Sequence, residues 1–283
     1  MRKLKIQLFQ EAQKRKKALG QFNFSDISQL KAIIAVSRKL KQSFILGTSE
    51  GESNFLSPRL AVFLRNFAEK ELGYSVILNL DHGKSFSFIK KAIDAGYDMV
   101  HFDGSTLSFK KNIKETKKVV NYAKKKGVIV EGELGYLGGT SQVHKKNIKI
   151  NKEDMTLPEE AQEFVEETKV NALAVVIGNV HGVYSKMPNL DQDRLFMIKS
   201  KIGKKAFLVL HGGSGISNRE IKKAISRGIV KININTEIRA AWRAGIEEGF
   251  QKNKTEAAPY KIFPRAIEKI EKVVEQKIKL FSN

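Results

Sequence analysis

Eight apolar, β-branched runs alternate with helix-period segments from one end of this chain to the other. That alternation predicts an α/β fold with a parallel sheet and crossover helices. The count of eight, a length of 283 residues and the lack of any linker or composition shift predict a closed (β/α)8 TIM barrel. One domain over residues 1–283 is expected, with a helix added at each end. A doubly wound open sheet is the structural alternative.

The chain opens on MRKLKIQLFQEAQKRKKALG, which is basic but has no continuous apolar core, so it reads as an N-terminal helix and not a signal peptide. Strands are expected at Leu19–Phe24, Phe44–Ser49, Ser75–Leu80, Met99–Asp103, Val128–Leu134, Ala172–Ile177, Ala206–Leu210 and Ile229–Ile234. Helix-period segments include Ile27–Lys41, Arg59–Leu72, Ile89–Ala95, Asn112–Lys126, Pro158–Lys169 and Asn218–Arg227. Ser217 and Asn218 are cap-type residues ahead of Glu220, and Gly96, Gly127 and Gly228 stand where helices should stop. The polar stretch Gly138–Leu157 is long for a βα loop and reads as an active-site lid or a mobile segment. Pro264–Phe281 reads as an extra amphipathic C-terminal helix that caps the fold or helps it dimerise.

Composition narrows the function. With no cysteine there is neither a disulfide nor a thiolate metal site, which fits a cytoplasmic location. No apolar run approaches the roughly 20 residues of a membrane span, so no membrane partner is expected. Lys and Arg number 51 against 30 Asp and Glu, a net charge of +21. Phosphorylated ligands and nucleic acid both suit that charge, but the lysines are scattered along helices without an arginine-rich tail. Solvated helix faces are the reading taken, with nucleic acid last among primary partners.

Three histidines end or follow strand-like runs: His82 in NLDHG, His181 in GNVHG and His211 in LHGGSG. In a barrel these ends share one face, where three imidazoles hold a metal with a position left open for substrate. Asn23, Ser49, Asp81, Asp103, Glu131, Glu133, Asn233, Asn235 and Thr236 fall at the same end of their strands. One such histidine alone is more often a hydrogen-bonded structural residue; three together with carboxylates are harder to reach by accident. HGGSGIS and NINTEIR follow strands seven and eight, the usual phosphate site of this fold, and free backbone N–H groups precede a helix N-terminus there.

The ordered motifs GQFNF, SEG, NLDHG, FDGS, VEGELG with a following GG, IGNVHGVYSK, LHGGSGI and KININTE run nearly end to end. In them the chain resembles the class II, metal-dependent ketose-bisphosphate aldolases, which include fructose- and tagatose-bisphosphate aldolases. The resemblance implies a zinc-dependent lyase that reversibly cleaves a ketose-1,6-bisphosphate, fructose-1,6-bisphosphate foremost, to dihydroxyacetone phosphate and glyceraldehyde 3-phosphate. It implies His82, His181 and His211 as zinc ligands, Glu133 as an alternate or nearby ligand, and Asp103 at a displaced metal position. Asp81 becomes the acid/base at the hydroxyl beside the breaking bond, and Asn233 a contact to the reacting ketose. Gly182, Gly212, Gly213, Ser214 and Thr236, with Lys186, are implied at one phosphate. Ser49 is implied at the other, joined by Arg239 from a neighbouring subunit of a homodimer or homotetramer. A monovalent cation, Na+ or K+, is implied at the GNVHG and HGGSG carbonyls. Zinc as a Lewis acid suits the charge of an enediolate, so the many lysines are not evidence for a Schiff base.

Two departures from that pattern matter. The family's acidic pair after GG is replaced by Thr140, Ser141 and Gln142, none of them a good general base near neutral pH. Glu153, Asp154 and His144 are the substitutes within reach in sequence; the plain alternative for His144 is an exposed loop residue. Asn235 stands where fructose-bisphosphate enzymes tend to carry aspartate and tagatose-bisphosphate enzymes alanine, so tagatose-bisphosphate or another phosphoketose is an alternative substrate. A non-catalytic phosphosugar-binding or assembly subunit is the other alternative. The C-terminal element is altered to APYKIFPRA, leaving the part of Arg265 open. His101 reads as a packed or hydrogen-bonded strand residue and Trp242 as packing in the helix layer.

Overall fold

The computed structural model describes residues 2–148, 150–252 and 254–282. Eight parallel strands close into a barrel: β1 (Leu19–Asn23), β2 (Ile45–Ser49), β3 (Ile77–Gly83), β4 (Met99–Phe102), β5 (Ile129–Leu134), β7 (Ala172–Val175), β9 (Phe207–Leu210) and β10 (Ile229–Ile234). β10 closes the ring against β1, with Gln21 opposite Asn233. The barrel therefore has the predicted topology, and an open sheet is excluded.

Side chains alternate across each strand, so every second residue enters the barrel. The lower layer is apolar: Leu19, Ile45, Ile77, Met99, Ile129 and Ala172 form one cluster. Helix α1 (Arg2–Lys14) plugs this end with Phe9, whose ring lies 5.2 Å from that of Phe207. Above it lies a buried polar layer of Gln21, Asn79, His101, Glu131 and Lys231. Asn79 donates to Gln21 at 2.8 Å, and Lys231 donates to Glu131 at 2.8 Å, so much of the cost of burying these groups is offset by pairing. Gly47 is required on β2, because a Cβ there would sit 2.2 Å from Asn23 Oδ1.

The outward faces pack under the helices α2 (Ile27–Leu40), α4 (Pro58–Leu72), α5 (Phe86–Ala95), α6 (Phe109–Lys126), α7 (Pro158–Thr168), α8 (Gln192–Ile202), α9 (Asn218–Ser226) and α10 (Thr236–Lys252). Local chemistry sets their ends. Asp26 and Gln29 form a capping box on α2, and Ser217 caps α9 by accepting from Glu220 N. Gly96 and Gly127 close α5 and α6 in the left-handed conformation, and Gly228 follows α9. Trp242 lies in the helix layer and donates to Ser28 Oγ at 3.1 Å. The short α3 (Glu50–Leu56) directly follows β2.

Most boundaries move by one to three residues, and three differences are larger. The C-terminal helix α11 begins at Pro259, not Pro264, because proline is tolerated in a first turn; Ile270, Val274, Ile278 and Phe281 bury its apolar stripe. Gly138–Leu157, expected as an active-site lid or a mobile segment, carries structure of its own. It contains β6 (Gly139–His144), paired with β8 (His181–Tyr184) in a second, two-stranded sheet, and a 3-10 turn at Lys152–Asp154. Thr156 anchors its end, donating to Leu134 O at 2.5 Å and accepting from Val176 N at 2.8 Å. Finally, His181 does not end a barrel strand. β7 stops at Val175, the chain turns through Gly178 at φ +101, and Asn179 braces the turn with bonds to Ile177 N, Val175 O and His211 O.

Candidate metal centre and active site

The upper barrel layer opens into a pocket of about 360 Å³. Asp81, His82, His181, His211, Asn233, Asn235 and Ser49 line it, together with Gly182, Gly212, Ser214, Thr236 and Arg239. Strand register carries these side chains inward from β2, β3, β9 and β10. On β3 simple alternation would send Asp81 inward and His82 outward. Instead the register against β4 shifts between Leu80 and Gly83, and His82 adopts φ +52, a left-handed conformation uncommon outside glycine. Both side chains therefore face the pocket.

His82 Nδ1 lies 2.9 Å from Asp103 Oδ2 and 3.6 Å from Glu133 Oε2. His211 Nε2 lies 2.6 Å from Glu131 Oε1, and Lys231 holds the other oxygen of Glu131. With each outer nitrogen donating to a carboxylate, His82 Nε2 and His211 Nδ1 are left facing each other 2.9 Å apart. Two lone pairs so placed need a cation between them. A proton on His82 meets that need in the metal-free chain: burial opposes its charge, but Asp81, Asp103 and Glu133 raise its pKa to about 9. Burial and the charge on His82 push His211 well below the ordinary histidine value and His181 down to about 4. A carboxylate behind each of two facing imidazoles is the arrangement that orients metal ligands. Ligand atoms of Asp81, His82, His101 and His211 lie within 4.8 Å of one another, as do those of His82, Asp103 and Glu133. The residues thus fit a divalent metal with nitrogen and oxygen ligands. His181 stands at the edge of this cluster, its ring centroid 4.8 Å from that of His82.

Asp81 is buried, which favours its neutral form, yet the charge of His82, with that of Lys231, holds it well below the usual carboxylate range. Asn233 donates to its Oδ1 at 2.9 Å and Asn23 to its Oδ2 at 3.0 Å, so the carboxylate is ionised and fixed. Asn233 Oδ1 and Asn235 Oδ1 are buried acceptors without a partner. Glu52, which sequence reading missed, organises the far wall: it accepts from Asn23, Ser49 N and Arg239. Arg239 lines the pocket of its own chain. Glu50 and Lys84 also line the pocket without having been singled out, and so does Ser141, one of the residues that replace the loop acids.

Some expected residues lie elsewhere. Lys186 is exposed and outside the pocket lining. Gly213 N donates to Asn233 O at 3.1 Å, so it has no N–H free for a phosphate. Gly212, at φ +62, approaches so close to the GNVHG loop that a Cβ would sit 2.1 Å from Val180 O. None of the substitutes for the loop acid reaches the pocket. His144 stacks on Tyr184 with centroids 4.4 Å apart and contacts Thr140, Glu153 lies in the 3-10 turn, and Asp154 bonds Asn151. Arg265 pairs with Glu268 at 2.9 Å on the outer helix layer. His101 is fully buried and hydrogen-bonded, as read, but it sits against the cluster. An inward His two residues before Asp103 on one strand was the signal for that placement.

A sequence model described as fructose-bisphosphate aldolase class-II matches residues 5–283. A 6-phospho-5-dehydro-2-deoxy-D-gluconate aldolase of Shouchella clausii is 38% identical over 97% of this chain and 92% of its own length. A fructose-bisphosphate aldolase of Staphylococcus aureus is 37% identical over 93% of this chain and 91% of its own. The crystal structure of the YdjI aldolase from Escherichia coli K12 superposes with a TM-score of 0.83 at 28% identity, covering 98% of this chain and 95% of that one.

Proposed function

The chain belongs to the class-II fructose-bisphosphate aldolase family and is an aldolase, and from that premise we propose that it is a zinc enzyme whose substrate is fructose-1,6-bisphosphate. The products would be dihydroxyacetone phosphate and glyceraldehyde 3-phosphate. The observation that carries this reading is the pair of facing imidazoles, His82 and His211, backed by Asp103 and Glu131 beside a fixed, ionised Asp81. His181 completes the proposed zinc set, with Glu133 and Asp103 at an inner position. When bound, the metal would supply Lewis-acid stabilisation of the charge that aldol cleavage leaves on the ketose half.

The chain's own groups do the rest. Asp81 accepts the proton of the hydroxyl beside the breaking bond, and Asn23 and Asn233 keep its oxygens aimed. Asn233 Oδ1 and Asn235 Oδ1 offer acceptors to substrate hydroxyls, whose arrival satisfies two buried orphans. Gly182, Gly212, Ser214 and Thr236 take one phosphate at the N-terminus of α10. Ser49 and Arg239 take the other. A Na+ or K+ ion at the GNVHG and HGGSG carbonyls, a homodimer or homotetramer and a cytoplasmic location belong to the same proposal. The lack of cysteine supports the location.

A second substrate has one observation in its favour. The Shouchella clausii relative, at 38% identity, is named for a phosphorylated keto acid, and the replaced loop acids leave the pocket mouth less negative. Cleavage of fructose-1,6-bisphosphate, tagatose-1,6-bisphosphate and 6-phospho-5-dehydro-2-deoxy-D-gluconate by the zinc-loaded protein tests the assignment, with a chelated sample alongside. Chelator-sensitive turnover of the first above the other two is expected, and Asp81→Asn is expected to lower kcat by about 10²–10⁴-fold. Preference for the keto acid would replace the substrate, and turnover indifferent to chelation would remove the metal.

A further inference from the structure

We propose that His101 is a positioning residue of the metal centre: it holds the main chain of His82 in the left-handed turn that aims the His82 ring at His211. This rests on the metal-dependent reading above. His101 lies on β4, fully buried and outside the pocket lining, so it cannot touch substrate. Its ring centroid is 4.7 Å from that of His82 and 4.7 Å from that of His211.

The turn at His82 has a hydrogen-bonding consequence. Where the register between β3 and β4 shifts, the His82 N–H leaves the strand ladder, and a buried N–H needs an acceptor. His101 Nδ1 supplies it at 3.1 Å. Without that acceptor the His82 N–H would be a buried donor left unsatisfied, a cost borne by the left-handed turn and not by a regular strand.

The same bond settles the tautomer. A neutral imidazole that accepts at Nδ1 carries its proton on Nε2. His101 Nε2 faces Glu133 Oε2 at 3.0 Å, off the angle of a good hydrogen bond, so both atoms count as unpartnered. His101 therefore has no lone pair to offer a metal, although it lies within reach of the cluster. Its part is to place His82 and not to bind.

Three variants separate this from general packing, with the dissociation constants of Zn2+ and Co2+ and the visible absorption of bound Co2+ as readouts. His101→Leu removes both contacts and is expected to weaken Zn2+ binding about 10–100-fold and alter the Co2+ spectrum. His101→Asn places an acceptor near the position of Nδ1 and is expected to restore most of both. His101→Gln reaches toward Glu133 without that acceptor and is expected not to. Wild-type affinity and spectrum in a folded His101→Leu chain would overturn the proposal, as would rescue by Gln and not by Asn. The Asn and Gln pair decides the matter if the Leu variant does not fold. A wild-type chain that binds neither ion would overturn the metal reading itself; binding by wild type with no loss in the Leu variant removes only the part given to His101.

Discussion

At the scale of the residue, the barrel interior is governed by how buried charges are paired. Lys231 and Glu131 are both fully buried, and each is useful only because the other is present. Glu131 turns its second oxygen to His211, so the ion pair sets the ring that faces His82. Removing one member leaves an uncompensated charge in the barrel, which costs about 3–5 kcal/mol. Lys231→Met is expected to lose that much in urea denaturation, and the double change with Glu131→Gln is expected to recover part of it. Equal stability of the single variant and the wild type would show that water reaches this layer. The sequence placed lysine and glutamate inside two apolar runs, which was the only sign of the pair; that they meet is a matter of strand register across 100 positions.

At the scale of the element, helices are tied to the barrel by a few half-buried acids. Glu69, near the end of α4, accepts from Val76 N and Ser75 Oγ and neighbours Lys5 of α1 and Arg65. Burial raises its pKa, but the Val76 hydrogen bond, Lys5, Arg65 and Ser75 together hold it below its ordinary 4.5. A carboxyl depressed on folding adds stability that is fully present above its unfolded value and lost as pH falls through its folded one. The wild type is therefore expected to lose stability below about pH 4.5 more steeply than Glu69→Gln, compared by urea midpoints at pH 7 and in acid. Parallel curves would mean that Glu69 is not linked to folding. Elements of this kind were largely legible. Strands and helices fell within a few residues of expectation because apolar periodicity and caps such as Ser217 act locally. β6 and β8 were missed because GTSQVH and HGVY pair with each other, 40 to 42 residues apart, and not with the barrel.

At the scale of the whole molecule, the barrel is closed below by Phe9 and open above at the candidate metal site, so its stability should depend on what binds there. Zn2+ at about 100 times its dissociation constant stabilises the native state by about 2.7 kcal/mol, or roughly 5–10 °C in Tm for a chain of this size. Chelation is expected to lower Tm by that amount and added Zn2+ to restore it. A Tm indifferent to chelator and Zn2+ would argue that the cluster holds only its shared proton. The +21 charge plays little part in this, since lysines such as Lys90 and Lys118 sit on exposed helix faces paired with Asp94 and Glu115, contacts worth little each.

The barrel, the order of its motifs and the identity of most pocket-lining residues were legible in the amino-acid order, because periodicity and motif chemistry are properties of short stretches. Tertiary structure alone decided which groups meet. It turned Gly213 N toward Asn233 O, left Lys186 on the surface, paired Arg239 with Glu52 and set His181 at the cluster's edge. It also brought Glu52, Glu131 and His101 behind the site. Those outcomes depend on the register of parallel strands far apart in sequence and on one left-handed turn at His82, neither of which leaves a mark on local composition.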